Sequence, residues 1–303
     1  MSSLRVAVEP VHDSHLVGAV RDAGADLVAL DDAQVLVWLG GPDGFPALPD
    51  SIEWVALSTA GIERFVDAGV LDDRRVWTNA SGFYAQGCAE HALALLLAGT
   101  RQVVASARTR WAKEAVDPAV RTLRGSTVAI LGAGGIGRAL TPMLAACGAS
   151  VIAVNWSGRP VDGADLTLPA SKTDEALARA DHVVLAAPDT AETRHMINDQ
   201  TLALLKPHSW VVNVARGPLI DQKSLYRALA GGVIAGAGLD VTDPEPPSFD
   251  DPLFSLDNVV ITPHVANPAG RLTTEMAPFL AENLRRFTAG ADLISQVEVG
   301  RGY

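Results

Sequence analysis

Short apolar runs, separated by polar or glycine-marked breaks, recur along the whole chain. In the first hundred residues, Leu4–Val8, Val35–Leu39 and Trp54–Ser58 are continuous apolar stretches. Runs of that length fit strands buried on both faces of a parallel sheet. Ser14–Ala23 has helical spacing and falls between two of them. Gly40-Gly41-Pro42 and Thr59-Ala60-Gly61 read as turns at the carboxyl ends of strands. Glu90–Leu97 opens a helix expected to run past Arg101 toward Arg110.

A second series follows. Its strands are expected at Thr127–Leu131, Ser150–Val154, His182–Ala186, Trp210–Val214, Ile234–Leu239 and Val259–Thr262. Helices are expected at Arg138–Cys147, Ser171–Arg179, Asp199–Leu205 and Gln222–Ala230, with Asp221 placed to cap the last. Strands alternating with helices of this length predict an α/β fold of two domains, each sheet parallel and covered on both faces. The tail Ala269–Ala289 reads as one more helix, packing back on the first domain and making it discontinuous. The expected division is 1–97 with 268–303 for a substrate domain, and 98–267 for a nucleotide domain.

Bulk properties narrow the possible functions. At 303 residues, 48% hydrophobic and 19% charged, the chain has the composition of a globular protein. A formal charge of −11 argues against nucleic acid, whose phosphates need a basic face. An anionic substrate must then be captured by local cations against the overall field. No apolar run approaches membrane-spanning length, and Met1–Arg5 leads into a strand pattern without a signal-peptide core, so a cytoplasmic location is expected. Cys88 and Cys147 lie in apolar helical surroundings as core fillers. No spacing of histidines, cysteines and acids suggests a metal site.

Gly132-Ala133-Gly134-Gly135-Ile136-Gly137 sits between the strand Thr127–Leu131 and a helix, the context a dinucleotide-binding turn requires. Gly132 permits the tight turn, Gly134 lets pyrophosphate approach the backbone, and Gly137 lets the helix lie close on the strand. The phosphates would rest on the amides opening the helix, around Gly135 and Ile136. At the end of the next strand an NAD site carries an acid for the ribose hydroxyls, and this chain instead has Val154-Asn155-Trp156-Ser157-Gly158-Arg159. Asn155, Ser157 and Arg159 offer donors and a positive charge, which favours NADP over NAD. The plainer alternative is a solvated Arg159 and use of either cofactor.

Three further groups carry chemistry. Arg216, after the strand Trp210–Val214 and before Gly217, has the planar donor fork that holds a carboxylate. His264 can give and take a proton near neutral pH, and Glu245, in a loop stiffened by Pro244, Pro246 and Pro247, can orient it and favour the imidazolium. Together they would reduce a 2-oxo acid. A salt bridge, a packed histidine and an exposed loop acid are the structural alternatives. Asp240 could face a nicotinamide carboxamide or cap its turn. His91 on an apolar helix reads as a satisfied core histidine, His182 and His195 lack an evident partner, and His12, His15 and His208 read as surface residues.

These residues resemble the D-isomer-specific 2-hydroxyacid dehydrogenases. The resemblance runs through Ser58-Thr-Ala-Gly61, Ala89–Leu95, the glycine turn, Ala187–Thr193, Asn213–Gly217, Gly238–Val241 with Glu245-Pro246, and Thr262-Pro263-His264. It implies a Rossmann-type doubly wound parallel sheet beside a flavodoxin-like, discontinuous substrate domain, with a cleft that closes between them. It implies that Arg216 binds substrate, that Glu245 and His264 transfer the proton, and that the amides of Thr59, Ala60 and Gly61 hold the substrate carboxylate. Pro188, Thr193, Ala215 and Asp240 would line the cofactor. A homodimer formed through the nucleotide domain is implied as well, and side-chain specificity would come from Gly40–Pro42, Ser81–Tyr84 and a partner's Trp111. The small 2-oxo or 2-hydroxy acid itself is not named.

Some positions depart from the family pattern. Val265-Ala-Asn267-Pro268 replaces the usual small residues and Thr after the histidine, so Asn267 alters the pocket. Formate dehydrogenases of the superfamily carry an amide where this chain has Glu245, which favours ketone chemistry. No extension follows Tyr303, so a feedback-regulated phosphoglycerate enzyme is not expected. The alternative is a nucleotide-sensing scaffold with vestigial activity, and Arg216, Glu245 and His264 together argue against it.

Overall fold

The computed structural model describes residues 3–81, 83–109 and 111–299. Gly82 of the expected specificity loop, Arg110 and Tyr303 lie outside them. The chain divides into two units, Met1–Tyr84 with Asn267–Tyr303, and Ala85–Ala266.

In the first unit, β1 (Arg5–Glu9), β2 (Asp26–Leu27), β3 (Val35–Trp38), β4 (Trp54–Leu57) and β5 (Val76–Thr78) form a parallel sheet in the order β2-β1-β3-β4-β5. That is the flavodoxin-like order. Alternate side chains of each strand feed opposite cores, as period-2 geometry demands. Val6, Val8, Val35 and Val37 pack with Leu16, Val20, Met276, Leu280 and Leu284, whereas Ala7, Leu36, Val55 and Leu57 pack with Ile62, Phe65 and Trp77. The helix Leu272–Thr288 thus supplies one face of the core. Asp13 caps the helix Ser14–Asp22 by accepting from the amides of His15 and Leu16. The short strands β2 and β5 were not legible as apolar runs.

In the second unit, β6 (Thr127–Leu131), β7 (Ser150–Asn155), β8 (Leu166–Pro169), β9 (His182–Leu185), β10 (Trp210–Asn213), β11 (Gly236–Leu239) and β12 (Val259–Ile261) follow the order β12-β11-β10-β9-β6-β7-β8, all pairs parallel. This is the doubly wound dinucleotide order with a seventh strand, and its direction reverses between β6 and β9. Strands starting at Thr127, Ser150, His182, Trp210 and Val259 begin where the sequence predicts them, and β11 starts at Gly236, two residues later than expected. The edge strand β8 went unrecognised because its Thr and Pro break the apolar run. Asp221 caps the helix Gln222–Ala230 as expected, accepting from the amides of Lys223 and Ser224.

The helix after the first sheet differs from expectation. It spans Ala85–Thr100 and stops there, since Gln102 adopts a left-handed φ of 53° and its side-chain amide donates to the Gly99 carbonyl. A separate helix, Val103–Arg108, follows. Ala89, Ala92, Leu95 and Leu96 pack with Val128, Ile130, Val151 and Val212, so the whole helix belongs to the second unit. The sequence reading divided it at 97/98, because an apolar helix carries no mark of which sheet it covers. Among the described residues no helix is long and apolar enough to cross a membrane.

His182, at the start of β9, is 1% exposed, and its Nδ1 accepts the Trp210 N–H at 3.2 Å. Burial pushes it down from an ordinary 6.5 to about 4, against an opposing pull from Asp181. Between those two values the unfolded chain binds a proton that the native protein refuses. Its contribution is therefore intact above pH 6.5 and is lost as the pH falls toward 4, by about 1.4 kcal/mol per unit. His182→Asn, which keeps an acceptor near Nδ1, is expected to flatten the fall in urea midpoint between pH 6.5 and 4.5. Parallel wild-type and variant curves would remove His182 as the source of that acid sensitivity.

Candidate active site

The glycine turn follows β6 where the strand order reverses. Gly132 has φ +94°, strained for any L side chain, and a Cβ there would lie 2.3 Å from the Ala187 amide nitrogen. The turn therefore rests directly on the backbone following β9. Around Gly134 nothing lies within 4 Å of a Cβ position, whereas at Gly137 the Ile130 Cγ2 would be 3.1 Å away. The first position thus stays open to a ligand, and the second brings helix and strand close. Gly134 caps the helix Gly135–Ala146 without a side-chain bond, which leaves the opening amides to an anion. Ile136 is partly buried against the core. Thr193 Oγ1 donates to the Pro188 carbonyl at 2.6 Å and accepts from the Thr190 amide at 2.8 Å, closing a loop directly after Ala187. These features fit a dinucleotide phosphate.

The loop after β7 is closed by its own side chains. Asn155 Nδ2 donates to the Arg159 carbonyl at 2.7 Å, and the Arg159 amide donates to Asn155 Oδ1 at 3.1 Å and to Ser157 Oγ at 3.3 Å. Asn155 shapes the loop with one of its two side-chain N–H donors, and the second remains for a ligand. Arg159 stands exposed on that frame, beside a Trp156 that is 69% exposed.

Arg216 lies at the carboxyl end of β10, on a turn pinned by Asn213. The Asn213 side chain is fully buried, donates to the Arg216 carbonyl at 2.8 Å and accepts the Ala215 amide at 3.0 Å. Arg216 Nη1 donates to the Ala215 carbonyl at 2.7 Å. A Cβ on Gly217 would lie 1.9 Å from the Thr242 carbonyl oxygen, so this turn and the 242–245 loop touch through backbone. On that loop Thr242 Oγ1 donates to the Pro244 carbonyl at 2.9 Å. Glu245 Oε1 then meets His264 Nδ1 at 2.5 Å. The two side chains are 41% and 50% exposed, and Nε2 is the imidazole nitrogen that Glu245 does not engage.

Asp240, 2% exposed, holds the His264 turn in place. Its Oδ1 accepts from Thr262 Oγ1 at 2.6 Å and the Val265 amide at 2.9 Å, and its Oδ2 accepts the Ala266 amide at 2.9 Å. Its backbone carbonyl accepts the His264 amide at 2.9 Å, in a residue whose φ is +51°. Both carboxylate oxygens are engaged inside the protein, as a turn cap requires, and Oδ2 with one partner keeps capacity for a further donor. His91 joins this network, with Nε2 2.9 Å from Thr262 Oγ1 and 3.3 Å from Asp240 Oδ1. Cys88 is buried within range of the Asp240 and Arg216 charges. Burial, followed by the Asp240 charge, pushes its thiol up to about 11 against the pull of Arg216.

In the first unit the carbonyls of Ser58, Thr59 and Ala60 accept from Tyr84 Oη at 2.7 Å, the Ala80 amide at 2.9 Å and Asn79 Nδ2 at 2.9 Å. Among the described residues, the amides of Thr59, Ala60 and Gly61 have no partner, nor does the buried Thr59 Oγ1. Trp38 Nε1 donates to the Gly41 carbonyl at 2.9 Å and fixes the Gly40-Gly41 turn.

Within the second unit, then, the structure brings Arg216, Asp240, Glu245 and His264 together at the carboxyl ends of β10, β11 and β12. His91, Asn213 and Thr262 were missed as members of this group. For His91 no local signal existed, its partner lying 171 residues away. For Asn213 the signal was its place three residues before Arg216. His12 and His15 are exposed, and Trp111 is 93% exposed. No group of three metal-ligating side chains occurs among the described residues.

Residues 93–266 match the sequence profile of the D-isomer specific 2-hydroxyacid dehydrogenase NAD binding domain. An uncharacterized protein of Corynebacterium melassecola is 44% identical over 280 residues, covering 90% of this chain and 91% of its own length. The D-3-phosphoglycerate dehydrogenase of Mycobacterium tuberculosis is 36% identical over 295 residues, covering 95% of this chain and 53% of its own, so this chain spans about half the length of that relative. Among solved structures, a D-isomer specific 2-hydroxyacid dehydrogenase from Xanthobacter autotrophicus Py2, bound to NADPH and MES, superposes with a TM-score of 0.85 at 28% identity over 100% of both chains. An NADPH-dependent glyoxylate/hydroxypyruvate reductase from Sinorhizobium meliloti, bound to NADP and sulfate, gives 0.83 at 26% identity, covering 99% of this chain and 100% of its own.

Proposed function

The chain belongs to the D-isomer specific 2-hydroxyacid dehydrogenase family, and on that premise we propose that it reduces a short 2-oxo acid to the D-2-hydroxy acid, with NADPH preferred over NADH. The contact between His264 Nδ1 and Glu245 Oε1, beside the Arg216 turn, carries this reading. Bound reduced nicotinamide supplies the hydride.

The chain's own residues then have separate tasks. The Arg216 guanidinium holds and orients the substrate carboxylate, supplying a local positive charge against a net charge of −11. The partnerless amides of Thr59, Ala60 and Gly61 form an anion-binding loop suited to a carboxylate. With Nδ1 taken by Glu245, His264 presents Nε2 to the ketone oxygen and delivers the proton there. Asn213 and Asp240 hold the two turns in register. The opening amides at Gly135, Ile136 and Gly137 take the phosphates, and the loop at Pro188 and Thr193, with Ala215, flanks the cofactor. Arg159, presented by Asn155 and Ser157, meets a 2′-phosphate that an acid at that position would repel. Structural relatives bound to NADPH and NADP support the preference. The first unit serves as substrate domain and the second as nucleotide domain.

The test is loss of reduced-nicotinamide absorbance with glyoxylate, hydroxypyruvate, pyruvate and phenylpyruvate, run with NADPH and NADH in parallel. Turnover with NADPH dominant is expected. NADH dominance would discard the Arg159 argument and keep the chemistry. Tight cofactor binding with no turnover on any acid would overturn the enzyme reading in favour of a nucleotide-sensing scaffold.

A further inference from the structure

We propose that Asn79 is the positioning residue that makes Thr59–Gly61 an anion-binding loop, by fixing the direction in which its peptide groups point. The inference rests on the functional reading above, in which that loop receives a carboxylate. Each peptide group carries its N–H and C=O on opposite sides. Donors hold three successive carbonyls, those of Ser58, Thr59 and Ala60, so the amides that follow them face the other way together. Consecutive amides on one side form a concave anion site.

Of those three donors, Asn79 secures the position with most freedom to turn. The Ala60–Gly61 peptide precedes a glycine, which accepts either hand of φ, so this peptide can flip more easily than its neighbours. A flip would replace an amide with a carbonyl facing the anion. Asn79 Nδ2 prevents this by holding the Ala60 carbonyl at 2.9 Å. Asn79 is itself held. It is 6% exposed, its Oδ1 accepts the Ser81 amide at 3.1 Å, and its own amide donates to the Ser295 carbonyl at 3.1 Å. The side chain thus ties the 59–61 loop to the 79–81 turn within one unit, without touching substrate.

Asn79→Asp separates the two halves of this side chain. It keeps the volume and the acceptor for Ser81 and places an oxygen where the donor to Ala60 stood. With the full-length enzyme, KM for glyoxylate and Ki for oxalate, an unreactive carboxylate, are measured with kcat, NADPH affinity and the urea midpoint. Both KM and Ki are expected to rise together by about 10–100-fold, kcat and NADPH affinity staying within a few-fold of wild type. If Asn79→Asp does not fold, Asn79→Ala, which removes both bonds without adding charge, is expected to give the same pattern. Folded variants with unchanged KM and Ki would overturn the proposal, and so would losses spread equally over kcat and NADPH affinity. A wild-type enzyme that neither reduces 2-oxo acids nor binds oxalate would instead overturn the functional reading on which it rests.

Discussion

Replacing His264 with alanine is expected to lower kcat on the best 2-oxo acid by about 10²–10⁴-fold, leaving NADPH affinity and thermal stability near wild type. The size of the effect follows from the geometry. Nδ1 is committed to Glu245 Oε1 at 2.5 Å, so Nε2 is the nitrogen left to carry the proton, and a half-exposed imidazole is accessible to substrate. Alanine deletes the donor and provides no substitute, since water in the vacated space is a far weaker acid at neutral pH. Stability should change little, because His264 contributes its backbone amide, not its ring, to the Asp240 network. Glu245→Gln should cost less. It preserves a hydrogen-bonding group at the same place and removes only the carboxylate charge. Comparing kcat, KM and cofactor affinity for the two variants checks the assignment, and near wild-type turnover by His264→Ala would end it.

Asp240→Ala is expected to produce a second large effect of a different kind, lowering stability and turnover together. Removal of the carboxylate strands the Val265 and Ala266 amides in a site that is 2% exposed and leaves Thr262 Oγ1 with only its His91 contact. Leaving such donors unpaired costs about 1–3 kcal/mol each, less what water recovers, against a total stability of roughly 5–15 kcal/mol. The same bonds hold a turn in which His264 adopts φ +51°, an unfavourable conformation for a side-chain-bearing residue that persists only where its surroundings impose it. Once released, the imidazole should lose its alignment with Glu245, and kcat should fall by about 10²-fold, as catalysis is sensitive to misplacement on the ångström scale. Denaturation midpoints and steady-state kinetics on the same preparation test this. An Asp240→Ala enzyme of wild-type stability, with only its cofactor affinity reduced, would return Asp240 to the carboxamide-facing role.

Much of the site could be read before any coordinates. The turn Gly132–Gly137 announced itself because backbone constraints at Gly132 and Gly137 are local demands that only glycine meets cheaply. Arg216, Glu245 and His264 stood out because a carboxylate-binding fork, an orienting acid and a proton donor follow the glycine turn in the motifs Asn213–Gly217, Glu245-Pro246 and Thr262–His264. The roles of Asn155 and Asp240 were harder. Both are short polar side chains that can serve a ligand or their own backbone, and the choice depends on which amides the fold brings within 3 Å. Asn155 turned to Arg159, four residues away, and Asp240 to Thr262, Val265 and Ala266 across neighbouring strands.

Composition and periodicity determined the α/β class, most strand positions and the glycine turn, since these depend on side-chain burial and dihedral preference within a few residues. Tertiary structure alone decided the membership of Ala85–Thr100 in the second unit and the pairing of His91 with Thr262. Those outcomes depend on contacts between residues far apart in the chain, and an apolar face or a lone imidazole carries no information about its partner until the fold selects one.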